Sequence, residues 1–234
     1  MITQLKKELR KHANPRQAEV LQRFFKTGKG EYAEGDKFLG ITVPQTRSVI
    51  KKYRDLPQSQ IQQQLKSKIH EYRLAALFIL VWQFEHSDPK DQERIYKFYL
   101  RNTKYINNWD LVDSSAHKIV GAYLLDKKDR SILDTLAKSN DLWKQRIAVI
   151  ANFAFIDQGD FKDALRICKT LLHHEHDLIH KAVGWMLREV GNRDRKTEEN
   201  FLKKHYKTMP RTALRYAIEK FPETKRQRYL SGTV

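Results

Sequence analysis

The stretch Arg146-Ile-Ala148 recurs in altered form along the chain, and this recurrence decides the predicted fold. Aligned on their last, small residue, the other copies are Arg73-Leu-Ala75, Asp113-Ser-Ser115, His180-Lys-Ala182 and Arg211-Thr-Ala213. The small residues are 40, 33, 34 and 31 positions apart, a period typical of stacked helical hairpins. The first position is basic in four copies and an aspartate in one. This pattern predicts a basic surface that binds an anion, with one carboxylate at its middle.

Apolar residues recur at helical spacing along almost the whole chain, and strand signals are scarce. We therefore predict an all-α protein, an α-solenoid of HEAT-like helical-hairpin repeats with a concave basic groove. An irregular helical bundle is the alternative, because a small residue at the aligned position favours close helix packing in either fold.

A single domain in three parts is predicted for residues 1–234. Residues 1–42 hold N-terminal helices and a glycine-rich loop, 43–222 hold the repeats, and 223–234 form a C-terminal tail. The loop runs from Thr27 to Gly40 and carries four glycines, and loops of this length are usually functional or mobile. Helices are predicted at 3–12, 15–26, 44–54, 57–67, 70–85, 90–103, 109–125, 129–138, 142–156, 160–172, 177–191, 195–206 and 209–221.

Charge and composition narrow the class of partner. Lys and Arg number 45 against 28 Asp and Glu, giving a net charge of +17 and a pI near 9.8. This excess is typical of nucleic-acid-binding proteins, with acidic membranes and acidic proteins as alternatives. The longest apolar run, Leu74 to Trp82, is shorter than the roughly 20 residues of a membrane span, and no signal peptide precedes it. We expect a cytoplasmic protein, with Cys168 as a buried core thiol.

The segment Asn107-Asn-Trp-Asp-Leu-Val-Asp113 is the strongest candidate for a functional site. Trp109 and Asp113 are four positions apart and share a helix face. Asp110 lies in the first turn, where the helix dipole favours a carboxylate, so a structural role is indicated. Asp113 either forms a salt bridge with a neighbouring repeat or acts as a functional carboxylate. The cations at the aligned positions of the flanking repeats favour the functional role.

Cations accompany a second tryptophan. Lys181, Trp185 and Arg188 lie at i, i+4 and i+7 of one predicted helix, an arrangement that suits a sugar-phosphate backbone. A core position is the alternative for Trp185. The stretch His173-His-Glu-His176 is only a weak zinc candidate, because no matching ligands accompany it elsewhere. The predicted DNA-binding residues are Arg73, Lys144, Arg146, Lys181, Arg188 and Arg211.

Four motifs together resemble the AlkD-type DNA alkylation repair family. They are Phe38-Leu-Gly-Ile-Thr-Val-Pro44, Trp109-Asp-Leu-Val-Asp113-Ser-Ser115, Arg146-Ile-Ala148 and His180-Lys-Ala-Val-Gly-Trp185-Met-Leu-Arg188-Glu189. The resemblance extends from about residue 15 to residue 222. It implies a HEAT-like repeat DNA glycosylase that removes cationic alkylated purines, such as N3-methyladenine and N7-alkylguanine, from duplex DNA.

The same resemblance implies roles for individual residues. Asp113 matches the catalytic carboxylate of the family, and Trp109 and Trp185 match two tryptophans that hold the sugar of the damaged nucleotide. Arg146 matches an arginine that binds the DNA backbone near the lesion. The family also uses an aromatic residue from an N-terminal helix, for which Phe24 and Phe25 are the nearest candidates here.

The chemistry of the substrate agrees with this resemblance. An alkylated purine already carries positive charge and leaves readily, and its departure develops oxocarbenium-like charge on the sugar, which a fixed carboxylate stabilises. The expected partner is double-stranded DNA with alkylated bases, bound by a monomer without a metal or organic cofactor. Two alternatives stay open, a non-catalytic binder of duplex or branched DNA and a helical-repeat adaptor for an acidic protein.

Overall fold

A computed structural model describes all residues from 1 to 234, and its regular elements are helices, with one isolated β-bridge between Lys37 and Ile69. The all-α fold of helical hairpins is therefore confirmed. The chain divides into two compact units, Met1–Ser115 and Ala116–Val234. No helix combines the length and the apolarity needed to cross a lipid bilayer.

Most helices follow one another with short connections, and the segment between the second and third helices, which contains the glycine-rich loop, is the long exception. The first unit contains α1 (Ile2–Arg10), α2 (Pro15–Phe24), α3 (Val43–Ile50), α4 (Gln58–Leu65), α5 (His70–Glu85), α6 (Pro89–Arg101) and α7 (Trp109–Asp113). The second contains α8 (Ala122–Leu124), α9 (Ile132–Ala137), α10 (Leu142–Ala151), α11 (Phe153–Asp157), α12 (Lys162–Thr170), α13 (Asp177–Arg193), α14 (Arg195–His205), α15 (Arg211–Ala217) and α16 (Glu223–Ser231). Two 3₁₀ turns, Thr103–Tyr105 and Ile218–Lys220, and a π-helix, His117–Gly121, complete the set.

Each unit is built around one long helix. In the first unit, every side chain of α5 from His70 to Val81 is buried, and the helix packs against α3, α4, α6 and α7. A helix that is apolar on all sides belongs in a core. In the second unit, α13 packs against α10, α14 and α15. A Cβ atom on Gly184 of α13 would lie 2.4 Å from the Ala213 carbonyl, so this glycine permits the close approach of α15.

The small residues that define the repeat all serve close packing. Their side chains are completely buried at every aligned position, namely Ala75, Ser115, Ala148, Ala182 and Ala213. The repeat interpretation of these positions therefore has a physical basis in the structure. The concave basic groove and the single domain remain predictions.

Two predicted helices are interrupted. The segment predicted as one helix at 109–125 is divided in the structure. Helix α7 ends at Asp113, and the π-helix follows at 117–121. The helix predicted at 142–156 breaks at Asn152, whose side-chain amide donates to the Ala148 carbonyl (2.7 Å). Such side-chain bonds compete with the backbone ladder and bend helices.

The predicted C-terminal tail, residues 223–234, is mostly helical and docked. It contains α16, and the side chain of Tyr229 in this helix is 1% exposed. The Tyr206 hydroxyl donates to the carbonyl of Val234 at 2.8 Å. The end of the chain is therefore part of the packed second unit.

The glycine-rich loop is attached to the first unit by the buried carboxylate of Glu71. This carboxylate accepts hydrogen bonds from the backbone N–H groups of Leu39 (2.9 Å), Gly40 (2.8 Å) and Ile41 (3.2 Å). Hydrogen bonds to a charged group are roughly twice as strong as neutral ones. The Phe38–Pro44 motif is therefore a structural clamp that fastens the loop to the start of α5.

Gly40 gives the first testable prediction, because its backbone is in the left-handed region and other atoms leave no room for a side chain. Its φ is 79°, and an added Cβ would lie 2.1 Å from the Asn14 carbonyl oxygen at the start of α2. Gly35 is a matched control, since its φ is 83° and nothing lies near an added Cβ. We expect Gly40→Ala to lower the free energy of unfolding by about 3 kcal/mol or more, and Gly35→Ala by about 1 kcal/mol. Urea unfolding measures both, and equal losses would contradict the close contact of Gly40 with α2.

Glu198 gives a second prediction, on the pH dependence of stability. It is fully buried against Gly191, with Arg195 3.3 Å from one oxygen and no partner for the other. Burial raises the pKa of Glu198 from 4.5 to about 8, so the folded carboxyl is protonated at neutral pH. A raised folded pKa adds stability that is complete below the unfolded pKa and is lost as pH rises to the folded value.

We therefore expect Glu198→Gln, which stays neutral, to raise the free energy of unfolding relative to wild type at alkaline pH. The expected gain is about 5 kcal/mol near pH 9 and about 1 kcal/mol near pH 5. Denaturant unfolding at both pH values measures it, with Glu175→Gln as a control at an exposed position of the same unit. A gain that does not depend on pH would show that Glu198 is not protonated in the folded protein.

Candidate functional site

Helix α7 presents Trp109 and Asp113 one turn apart on the same face. Both side chains are partly exposed, whereas Leu111 and Val112 between them are buried. The helix begins at Asn108, whose side-chain oxygen accepts the backbone N–H of Trp109 at 2.8 Å. The short helix therefore holds an aromatic ring and a carboxylate at the surface of the first unit.

The start of α7 is fixed by a buried network of charged groups. His70 places Nε2 2.7 Å from Asp110 Oδ2 and Nδ1 3.3 Å from Asp36 Oδ2. The same Asp36 oxygen accepts from Arg73 Nη2 at 2.5 Å and from Asn108 Nδ2 at 3.3 Å. One imidazole and one guanidinium thus balance two carboxylates, as buried charges require. The network joins the glycine-rich loop, α5 and α7.

The network also sets the charge of its histidine. Burial by itself lowers the pKa of His70, but the charge of Asp110 and the hydrogen bonds with Asp110 and Asp36 outweigh it and raise this pKa to about 9. Burial likewise raises the pKa of Asp36, yet hydrogen bonds from His70 and Arg73 leave that pKa below its usual value. Both groups are therefore ionised at neutral pH. The structural role predicted for Asp110 is supported by its bond to His70.

An aromatic cluster surrounds Trp109. Phe25 stacks on the Trp109 ring, with centroids 5.0 Å apart and planes 12° apart, and Phe38 stacks on Phe25 at 4.9 Å. Phe25 and Phe38 are buried, but Phe24 is 62% exposed and meets Trp109 edge-on at 6.0 Å. Of the two phenylalanines in the N-terminal segment, Phe24 is therefore the one open to a bound molecule, and Phe25 supports the tryptophan from inside.

The other end of α7 is held by Tyr99, which sequence reasoning missed. Its fully buried hydroxyl forms a hydrogen bond with Ser115 Oγ at 2.9 Å. The Ser115 hydroxyl in turn donates to the Leu111 carbonyl at 2.6 Å. Burial raises the pKa of Tyr99, the bond with Ser115 lowers it, and the charge of Asp113 raises it further. The phenol therefore stays neutral and anchors the segment that follows Asp113.

The predicted residues of the second unit lie on three helices. Trp185 on α13 is partly exposed, donates from Nε1 to Glu189 at 3.1 Å, and lies 6.0 Å from the ring of Phe153. Trp185 is therefore not a fully buried core residue. On the same helix Lys181 pairs with Asp177 at 2.7 Å, and Arg188 pairs with Glu219. Lys144 on α10 is partly exposed, and Arg211 at the start of α15 is exposed.

Two of the predicted DNA-binding arginines are buried. Arg73 is 4% exposed, and besides Asp36 it donates to the Ser67 carbonyl at 3.1 Å. The structure thus corrects its expected surface position, because the glycine-rich loop brings Asp36 against it. Arg146 is also 4% exposed, and its Nη1 donates to the Leu178 carbonyl. Its contact with DNA stays a prediction.

Two minor candidates take structural roles. Cys168 is 1% exposed, which confirms the buried thiol, and burial raises its pKa to about 12. His174 Nδ1 accepts the backbone N–H of His176, and His176 Nδ1 accepts that of Leu178, so both rings stabilise the turn before α13.

Fold and site together define a helical-repeat protein in which one short, internally braced helix presents a tryptophan and a carboxylate. The family of DNA alkylation repair enzymes matches residues 5–221, and the chain belongs to this family. The resemblance seen in the motifs is thereby confirmed.

Among solved structures, a predicted DNA alkylation repair enzyme from Enterococcus faecalis is similar, with a TM-score of 0.71 and 17% sequence identity. The similarity covers 91% of this chain and 98% of that one. At this identity the likeness establishes a shared fold. A comparison with curated proteins finds no match.

Proposed function

We propose that this protein is a DNA glycosylase that excises cationic alkylated purines from duplex DNA in base excision repair. Its substrates would include N3-methyladenine and N7-alkylguanine, and the bond cleaved is the N-glycosidic bond. The observation that carries the proposal is the pairing of Trp109 and Asp113 on α7, braced by the His70 network. Membership of a DNA alkylation repair family supports DNA as the partner.

The proposed reaction needs little beyond a placed carboxylate. The bond from the sugar C1′ to the base nitrogen breaks, its electron pair leaves with the base, and the cationic base departs neutral. Positive charge then develops on the sugar, where the Asp113 carboxylate stabilises it. A water molecule attacks C1′ and gives up a proton, which leaves an abasic site. No cofactor takes part in this scheme.

Aromatic rings support the same charge. A ring face beside a sugar cation contributes about 0.5–2 kcal/mol, more when water is excluded. Trp109 is suited to this position because Phe25 stacks on it from the interior and fixes its plane. Exposed Phe24 adds apolar surface at its edge. The match to the family motif extends the proposal to Trp185 as a second sugar contact.

Cations of the second unit are proposed as backbone contacts. Lys181 and Arg188 flank Trp185 along α13, and their present partners, Asp177 and Glu219, lie at least partly in solvent. Exposed ion pairs contribute little and are readily exchanged for phosphate oxygens. The proposed set is completed by Lys144, Arg146 and Arg211.

The proposal is tested by incubating the protein with methylated duplex DNA and measuring free 7-methylguanine and 3-methyladenine by chromatography. Release above the spontaneous rate supports the glycosylase. DNA binding with a steep salt dependence but no release would instead indicate a non-catalytic DNA binder. Absence of duplex binding even at low salt would favour an adaptor for an acidic protein.

A further inference from the structure

A pocket of about 260 Å³ lies in the first unit, beside the buried network. Its walls include Lys66, Ser67, Lys68, Arg73, Lys104 and Asn107, and we call it the lysine pocket. The three lysines come from two segments far apart in the sequence, the turn before α5 and the 3₁₀ turn before α7. The fold therefore assembles this group of cations.

The lysines of the pocket lack carboxylate partners. Lys66 and Lys68 are exposed and form no ion pair, and Lys104 only approaches the ring of Tyr105, at 5.0 Å. Some lysines elsewhere are paired, as in Lys97–Glu93 and Lys225–Glu199, both 2.5 Å long, but the three of the pocket are brought together around one concavity. Unpaired cations around a concavity leave positive charge available to an anion.

The acids of the pocket are already occupied. Asp36 is bonded to His70, Arg73 and Asn108, and Glu34 accepts the backbone N–H of Gly30 at 2.8 Å. The charge of Asp36 is thereby balanced by His70 and Arg73, and neither acid forms an ion pair with the three lysines.

Two residues that line the pocket each carry a buried polar atom without a partner. The Nε–H of Arg73 has no acceptor, and the whole residue is only 4% exposed. The side-chain oxygen of Asn107 is buried without a donor, and rotating the amide by half a turn places its NH₂ there instead. The three exposed lysine ammonium groups match a ligand with several acceptor oxygens and negative charge, and phosphate has both properties.

We propose that the lysine pocket binds a backbone phosphate of the DNA strand whose damaged nucleotide meets Trp109. This inference rests on the proposed function and assigns a phosphate contact to three lysines, Lys66, Lys68 and Lys104, that lie outside the predicted DNA-binding set. Asn107 is two residues before Trp109, so their Cα atoms are at most about 7 Å apart. That distance is roughly the axial rise of two nucleotides of one strand. The contact would set the position of the strand along α7.

Two triple variants with the same net charge test the proposal. The first replaces Lys66, Lys68 and Lys104 by Gln. The second replaces Lys7, Lys51 and Lys90, which are exposed in the same unit and form no ion pair. At about 0.1 M salt we expect the pocket variant to bind a duplex with one N7-methylguanine at least about 10-fold more weakly than the control variant. The salt slope of its binding should fall by about one.

Replacing one DNA phosphate at a time by an uncharged linkage identifies which phosphate the pocket contacts. Duplexes with one methylphosphonate at successive positions around the lesion should bind wild type and the control variant more weakly at one position. The pocket variant should show no further loss at that position, because the contact is already gone. Equal affinities of the two triple variants, or an undiminished methylphosphonate effect in the pocket variant, would overturn the proposal.

The inference and the proposed function fail in different ways. If wild type accelerates base release while the two triple variants bind DNA equally, only the pocket assignment is wrong. If wild type binds DNA through the pocket but does not accelerate release, only the glycosylase proposal is wrong. If inorganic phosphate stabilises wild type but not the pocket variant, and the two variants bind DNA equally, the pocket takes free phosphate and the DNA assignment is wrong.

Discussion

Asp113→Asn is expected to slow the release of 7-methylguanine from duplex DNA by at least about 100-fold. Asparagine has nearly the same shape as aspartate, so the substitution removes the charge and leaves the outline of α7 unchanged. In the proposed reaction the lost charge is the one that stabilises the sugar cation, because its attraction grows as the base departs. DNA binding should stay within about 3-fold of wild type or become tighter, since a negative charge facing a polyanion is removed.

The measurement is a single-turnover rate at saturating protein, made together with a binding isotherm on the same DNA. Asp55→Asn serves as the control, because Asp55 is exposed in the same unit and belongs to the turn before α4. A rate within about 3-fold of wild type for Asp113→Asn would remove the catalytic role from this residue. A parallel loss of binding and rate would instead indicate that Asp113 only shapes the surface.

His70→Gln is expected to lower the free energy of unfolding by about 3 kcal/mol near pH 6.5, because it leaves Asp36 and Asp110 without their shared cation. The folded pKa of His70, about 9, lies above the ordinary value of 6.5. The stability that this proton adds is complete below the unfolded pKa and is lost as pH rises through the folded one. The loss caused by the substitution should therefore shrink between about pH 6.5 and pH 9.

Denaturant unfolding across this pH range measures the effect, with His12→Gln as a control at an exposed position of the same unit. The variant should also release base more slowly, because the start of α7 loses the bond between His70 and Asp110. At alkaline pH the wild type loses the stability that the protons on His70 and Glu198 both add. The two substitutions distinguish these effects, because Glu198→Gln raises the free energy of unfolding at alkaline pH and His70→Gln lowers it near pH 6.5. A pH-independent loss in His70→Gln would show that His70 is neutral in the network.

The helical fold was predictable because its signals are local. Apolar spacing marks most of the helices, and the small residues of the repeat are all buried, including Ser115 in the copy that carries the aspartate. The interruptions were less visible. Asn152 breaks a helix through a side-chain bond that apolar spacing does not reveal. The π-helix at 117–121 likewise leaves no mark in the spacing of apolar residues.

The candidate site was predictable only where its residues are close in sequence. Trp109 and Asp113 are four positions apart, and helix geometry alone places them on one face. The interior position of Arg73 was not predictable, because its partner Asp36 comes from a loop 37 residues earlier. The difference between exposed Phe24 and buried Phe25 depends on how the loop and α5 pack. The spacing of residues along the sequence does not reveal tertiary contacts of this kind.

We propose above all that this protein breaks the bond between an alkylated purine and its sugar. A duplex with a single N7-methylguanine tests this, when the first-order rate of base loss is compared with saturating wild-type protein and without it. We expect a much faster release of free 7-methylguanine from the bound duplex, with an abasic site left in the strand. A bound duplex that loses the base only at the spontaneous rate would contradict it.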